Sequence, residues 1–136
     1  MLLILAFAGF SLAQTRVTAE QVNGTWVVET GPNSTNTWRV WSVGENRYRV
    51  EFFGIITFGN RFNSGYASGT VQFVGDVATL RLLNQPNCVI TLRWIGKGRL
   101  EVREMTYPAA CGFGLNVSSE GVYRRTAITR PVFGRQ

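Results

Sequence analysis

From residue 22 onward, apolar and polar side chains alternate with a period near two. Glycine-containing turns interrupt the alternation about every 8–12 positions. Successive side chains on a strand point to opposite faces, so this pattern specifies half-buried strands and leaves no room for long helices. Strands are expected at 24–29, 37–43, 47–55, 66–74, 77–83, 88–95, 99–105 and 121–128. In the third, Tyr48, Val50 and Phe52 share one face while Arg47, Arg49 and Glu51 share the other. Three connections read as tight hairpins: Gly44-Glu45-Asn46, Gly75-Asp76 and Gly96-Lys97-Gly98. In each, glycine supplies the positive φ that a short turn demands. Residues 18–22 suit a single helical turn. The expected fold is all-β, an eight-stranded antiparallel up-and-down barrel, because closure removes both exposed edges. A two-sheet β-sandwich is the alternative. Two longer connections, 60–65 and 106–119, are expected as loops at a barrel mouth, where function usually resides.

With 136 residues the chain holds one domain. Residues 1–13 carry no charged side chain and end in Ser11-Leu12-Ala13. Small residues three and one before a cut fit a signal peptide, although a basic start is missing. Cleavage after Ala13 makes Gln14 the first mature residue and places the protein outside the cell or in the periplasm. The expected division is a signal peptide at 1–13, an N-terminal segment at 14–23, the barrel at 24–130 and a frayed tail at 131–136. The leader is shorter than the roughly 20 apolar residues that span a bilayer. An outer-membrane barrel is excluded by charge: Arg47, Arg49, Glu51, Arg99, Glu101 and Arg103 sit on faces that would meet lipid. The chain is therefore not expected to span a membrane.

The two cysteines, Cys88 and Cys111, are expected to pair, as cysteines of exported proteins normally do. No C-x-x-C redox pair is present. The net charge is +6, and Lys97 is the lone lysine among the arginines. Arginine favours bidentate contacts with carboxylate or phosphate. The arginines are scattered along the chain, which does not suit a nucleic-acid interface. The sequence contains no histidine. That removes Ser-His-Asp and Cys-His nucleophile systems and the usual zinc sites. The acidic residues fall mostly at turns and on charged strand faces. No catalytic residues, metal or cofactor are expected.

Gly24-Thr25-Trp26 on the first strand resembles the Gly-x-Trp of lipocalins and other calycins. The resemblance implies that Trp26 packs at the closed end of the barrel under an arginine from the last strand. Arg124 or Arg125 stands in that place. An arginine over an indole contributes about 0.5–2 kcal/mol. A second resemblance covers the closing third of the chain. Cys88-Val89-Ile90-Thr91-Leu92-Arg93-Trp94, Leu100-Glu101-Val102, the 111–117 segment and Gly121-Val122-Tyr123 resemble uncharacterised bacterial secreted domains. Some of those sit beside lysozyme-inhibitor modules, and the likeness supports the cysteine pairing.

These features favour a non-catalytic secreted binding protein, expected as a monomer. Alternation turns Trp38, Tyr48, Phe52 and Trp94 inward as candidate ligand contacts, with Ala67, Ser68, Gly69 and Thr70 leaving room beside them. A small barrel either holds one ligand or is filled by its own side chains. A small apolar ligand or an amphiphilic anion, such as a fatty acid, fits aromatic walls with basic residues near the mouth. Two other roles suit the same sequence. One is an inhibitor of an extracellular hydrolase that inserts residues 14–22 into the enzyme cleft. Charge favours an acidic protease as its target over a basic lysozyme. The other is a structural or accessory domain of the cell envelope.

Overall fold

The computed structural model describes residues 17–107 and 109–134; the expected leader lies outside them. A short helix, α1 (Ala19–Val22), precedes eight strands: β1 (Gly24–Gly31), β2 (Ser34–Gly44), β3 (Arg47–Phe58), β4 (Arg61–Val74), β5 (Val77–Arg81), β6 (Val89–Gly96), β7 (Arg99–Glu104) and β8 (Gly121–Ala127). Each strand pairs antiparallel with the next, and β8 returns to β1, closing the barrel. The closing register runs through Thr25 with Ala127 and Val27 with Arg124. That pair is what a two-sheet sandwich would lack, so the sandwich alternative falls.

The segment expected as a mouth loop at 60–65 is strand instead. Arg61, Asn63 and Gly65 pair with Phe58, Ile56 and Gly54. The glycines and asparagines there read as turn chemistry, yet the ladder with β3 satisfies their backbone groups. The actual turn is shorter, with Gly59 at φ 59°.

Up-and-down connectivity sorts the connections between two ends. The three expected hairpins and α1 form the floor. The long connections, 82–88 and 105–120, meet at the rim. Between them the described inward side chains pack into one core cluster. Trp26, Trp38, Phe52, Leu80, Ile90, Leu92, Leu100 and Tyr123 are all fully buried. Trp38 packs on Phe52 with ring centroids 5.3 Å apart, and Tyr48 meets Phe73 edge-on at 5.4 Å.

The floor is sealed by α1. Gln21 Oε1 accepts from the Thr18 N–H (2.9 Å), fixing the helix start. Val17 and Val22 are buried against the core. The Trp26 Nε1–H donates to the Val22 carbonyl (2.9 Å). The arginine expected above this indole is Arg125, 5.6 Å from the ring. Its Nη1 also donates to the Glu20 and Asn23 carbonyls, at 2.7 and 3.3 Å. Arg124 points outward and is exposed. Arg125 thus joins β8, α1 and the start of β1.

The outer face of β3 keeps the alternation but is not wholly solvated. Glu51, expected on a solvated face, is 1% exposed. Its Oε1 accepts from Arg39 Nη1 (2.8 Å) and the Gly134 N–H (3.1 Å), and its Oε2 from the Tyr66 hydroxyl (3.1 Å). Phe133 lies 4.3 Å from the Arg49 guanidinium. Residues 131–134 therefore lie along the barrel wall, where a frayed tail was expected; residues 135–136 lie outside the described part. A buried carboxylate is tolerated here because charge-assisted hydrogen bonds replace its water.

Burial pushes the Tyr123 phenol well above the ordinary tyrosine range, and raises Tyr48 as well. The unfolded chain releases these protons near pH 10 while the folded barrel retains them. Stability is therefore complete below about pH 10 and falls as pH rises beyond it. Melting temperatures between about pH 8 and 11 should decline on the alkaline side. Tyr123→Phe should flatten that decline while losing the bond from the phenol to the Ser119 carbonyl (2.8 Å).

Candidate functional site

The rim is built around two glycines that face each other across neighbouring strands, Gly54 of β3 and Gly65 of β4. A Cβ on Gly65 would lie 2.8 Å from the Phe113 ring; one on Gly54 would lie 2.7 Å from Asn36 Oδ1 and Phe52 Cζ. Their missing side chains make a recess. Phe113 from the 105–120 connection fills it and packs on Phe52, the tilted rings 5.1 Å apart. Val117 approaches Gly54 from the same connection. Hydrogen bonds fasten this stopper at three points. The Gly114 N–H donates to the Ser64 carbonyl (2.9 Å). Asn63 Nδ2 donates to the Leu115 carbonyl (3.0 Å) and Asn36 Nδ2 to the Ser118 carbonyl (2.6 Å).

The disulfide is formed. Cys88 and Cys111 are bonded at 2.02 Å across 23 positions of sequence. Cys88 precedes β6, and Cys111 stands two residues before Phe113. The bridge ties the stopper to the barrel wall. It also fits an oxidising compartment, extracellular or periplasmic. Among the described residues, no helix is long and apolar enough to cross a membrane.

Outside the stopper lies a cleft of about 640 Å³. Its apolar wall includes Ala109, Cys111, Phe113, Leu115 and Val117; its polar wall includes Glu104, Thr106, Ser118 and Glu120. Glu104 Oε1 accepts from the Ser119 N–H (3.0 Å) and hydroxyl (2.9 Å). Glu120 Oε1 accepts from the Glu104 N–H (3.1 Å). These bonds fix both carboxyl groups and engage one oxygen of each. Thr106 belongs to the same lining, and its hydroxyl is buried with no partner among the described residues.

The expected ligand residues do not gather here. Trp38, Tyr48 and Phe52 are buried in the core, and Trp94 is half-buried on β6, packed against the core. Tyr48 and Trp94 lie toward the floor. Phe52 reaches the rim cleft only through Phe113. The charge of the cleft differs too. The charged residues lining the cleft are acidic, where basic ones were expected. Glu104, Phe113, Val117 and Glu120 were not singled out from sequence. The usable signals were Cys111 inside the longest connection and two glycines, Gly54 and Gly65, interrupting otherwise bulky strand faces. The described part of the segment expected to enter an enzyme cleft, residues 17–22, is instead seated in the barrel floor.

No metal-binding cluster of acidic or cysteine side chains occurs among the described residues. No family model, curated protein or solved structure matches the chain.

Proposed function

We propose that this is a non-catalytic exported binding protein, built on a calycin-like barrel, that takes a small amphiphile at its rim. The observation carrying the reading is the cleft of about 640 Å³ whose lining combines apolar side chains with two carboxylates, Glu104 and Glu120. Ligand sites are typically concave, mostly apolar and supplied with a few fixed polar groups. Here the polar groups include Glu104, Ser118 and Glu120. The packed core directs the ligand to the mouth, where Phe113 lines the site. The Trp26–Arg125 pairing supports the calycin-like reading of the scaffold.

The acidic wall sets the head-group preference. A neutral or cationic head meets acceptors, whereas a carboxylate meets like charge. Three amphiphiles sharing one medium-length alkyl chain and ending in alcohol, ammonium or carboxylate make the test, followed by amide shifts of the labelled protein. Shifts are expected at Phe113 and Val117. The carboxylate should bind roughly tenfold more weakly than the other two, a difference of about 1.4 kcal/mol. Replacing Glu104 and Glu120 together by Gln should shrink that gap to about twofold, or roughly 0.4 kcal/mol. Tighter binding of the carboxylate would refute the electrostatic part of this reading. Silence at Phe113 and Val117 with all three would refute the site.

A further inference from the structure

We propose that the seam between β4 and β5 is a strand-addition site for an extended acidic segment of another protein. The barrel closes, but this seam is joined only at its base. β4 pairs with β3 from Arg61 through Gln72. With β5 it pairs only at Phe73 and Val74. β5 meanwhile pairs with β6 throughout Val77–Arg81. The two strands therefore diverge above their hairpin, leaving a space of about 420 Å³ between them.

The backbone facing this space is ordered for pairing. The Ser64 carbonyl accepts from Gly114, so it points away from β3. Backbone direction alternates along an antiparallel strand. The N–H and C=O groups of Tyr66, Ser68 and Thr70 consequently face the seam, and no ladder partner meets them there. Such groups recur about every 7 Å along one edge, a spacing that another extended backbone reproduces. Unpaired strand edges recruit strands for this reason.

Side chains define the occupant further. Inward-facing residues of an added strand would meet Ala67, Gly69 and Leu80. Leu80 Cδ1 lies 2.6 Å from where a Gly69 Cβ would be, so Leu80 already covers the inner side of the seam at this level and an aromatic side chain would not fit beside it. Outward-facing residues would lie near Arg81, which forms no salt bridge among the described residues. Together with the net charge of +6, this favours acidic residues at alternate positions. The site is separate from the rim cleft and does not depend on it.

The test uses the full mature protein with Ac-Glu-Val-Glu-Val-Glu-NH2 and the same peptide N-methylated at both valines. In the free protein, amides of Tyr66, Ser68 and Thr70 should exchange with solvent much faster than those of Ala67 and Gly69, which face β3. The unmethylated peptide should slow the three amides at least tenfold and shift their resonances. The methylated one should bind at least tenfold more weakly. Ser68→Pro removes one seam-facing donor without breaking the β3 ladder, and should weaken binding tenfold with little change in melting temperature. Arg81→Glu should reverse the preference toward a peptide carrying lysine in place of glutamate. Slow exchange of the three amides in free, dilute protein would overturn the proposal, because the seam would then be closed. Equal binding of both peptides, or no response of those amides at millimolar peptide, would overturn it as well. Protection that appears on concentrating the protein alone would identify a second copy as the occupant and refute the peptide assignment.

Discussion

Trp26→Ala should destabilise the barrel by about 4 kcal/mol, within the range of about 3–5 kcal/mol for deleting a buried aromatic side chain. Trp26 is fully buried, and three elements meet on it. The indole is buried in the core at the floor, where β1 pairs with β8. Its Nε1–H bonds to Val22, holding α1 in place, and Arg125 lies over its ring. The truncation leaves a cavity, an unpaired Val22 carbonyl and an arginine without its platform. Total stabilities of single domains run to about 5–15 kcal/mol, so such a loss would leave a large unfolded fraction. Urea unfolding followed by circular dichroism measures it. A loss below about 1.5 kcal/mol would mean that α1 collapses into the space and that the floor is not rigid. Two companions separate the contributions. Arg125→Ala should cost about 1–2 kcal/mol through the lost stacking and lost carbonyl contacts. Arg124→Ala, on the exposed face, should change stability by less than about 0.5 kcal/mol.

Breaking the disulfide is expected to cost about 3 kcal/mol. The bond spans 23 positions, and closing a loop of that length removes much of the freedom of the unfolded chain. For a domain near this size the loss lowers the melting temperature by about 10 °C. The double variant Cys88→Ser with Cys111→Ser measures it without reductant. The effect should also reach the site. Cys111 stands two residues from Phe113, so freeing it lets the stopper leave the recess made by Gly54 and Gly65. Amide exchange should accelerate throughout 111–118 while β2 and β3 remain protected. A uniform loss of protection over the whole barrel would show that the bridge supports the fold alone and not the rim. An unchanged melting temperature would show that the unfolded chain already holds these residues close.

Much of the fold was legible because its cause is local. Alternation along 47–55, glycines at three hairpins and the spacing of eight strands each follow from backbone geometry and side-chain sterics near in sequence. The cysteine pairing was legible because only two thiols exist. The rim was not legible. Asn63, Ser64 and Gly65 carry turn chemistry but are held as strand by β3, a partner near in sequence whose pairing outweighs their propensity. Glu51 obeys alternation by lying on the outer face, yet a tail more than eighty residues away covers it. Trp38 and Phe52 were rightly turned inward, but an inward side chain lines a cavity only when nothing else fills it.

By itself, then, the sequence determined the all-β class, the strand number, the turns of the floor and the disulfide. It narrowed the partner of Trp26 to two neighbouring arginines. Tertiary structure decided which arginine it is, that the interior is filled, that the mouth is stoppered by Phe113 and acidic at its cleft, and that β4 and β5 part above their hairpin. The division has one physical cause. A strand's period is dictated by its own backbone, whereas the filling of a void depends on side chains that arrive from distant parts of the chain and compete for the same space.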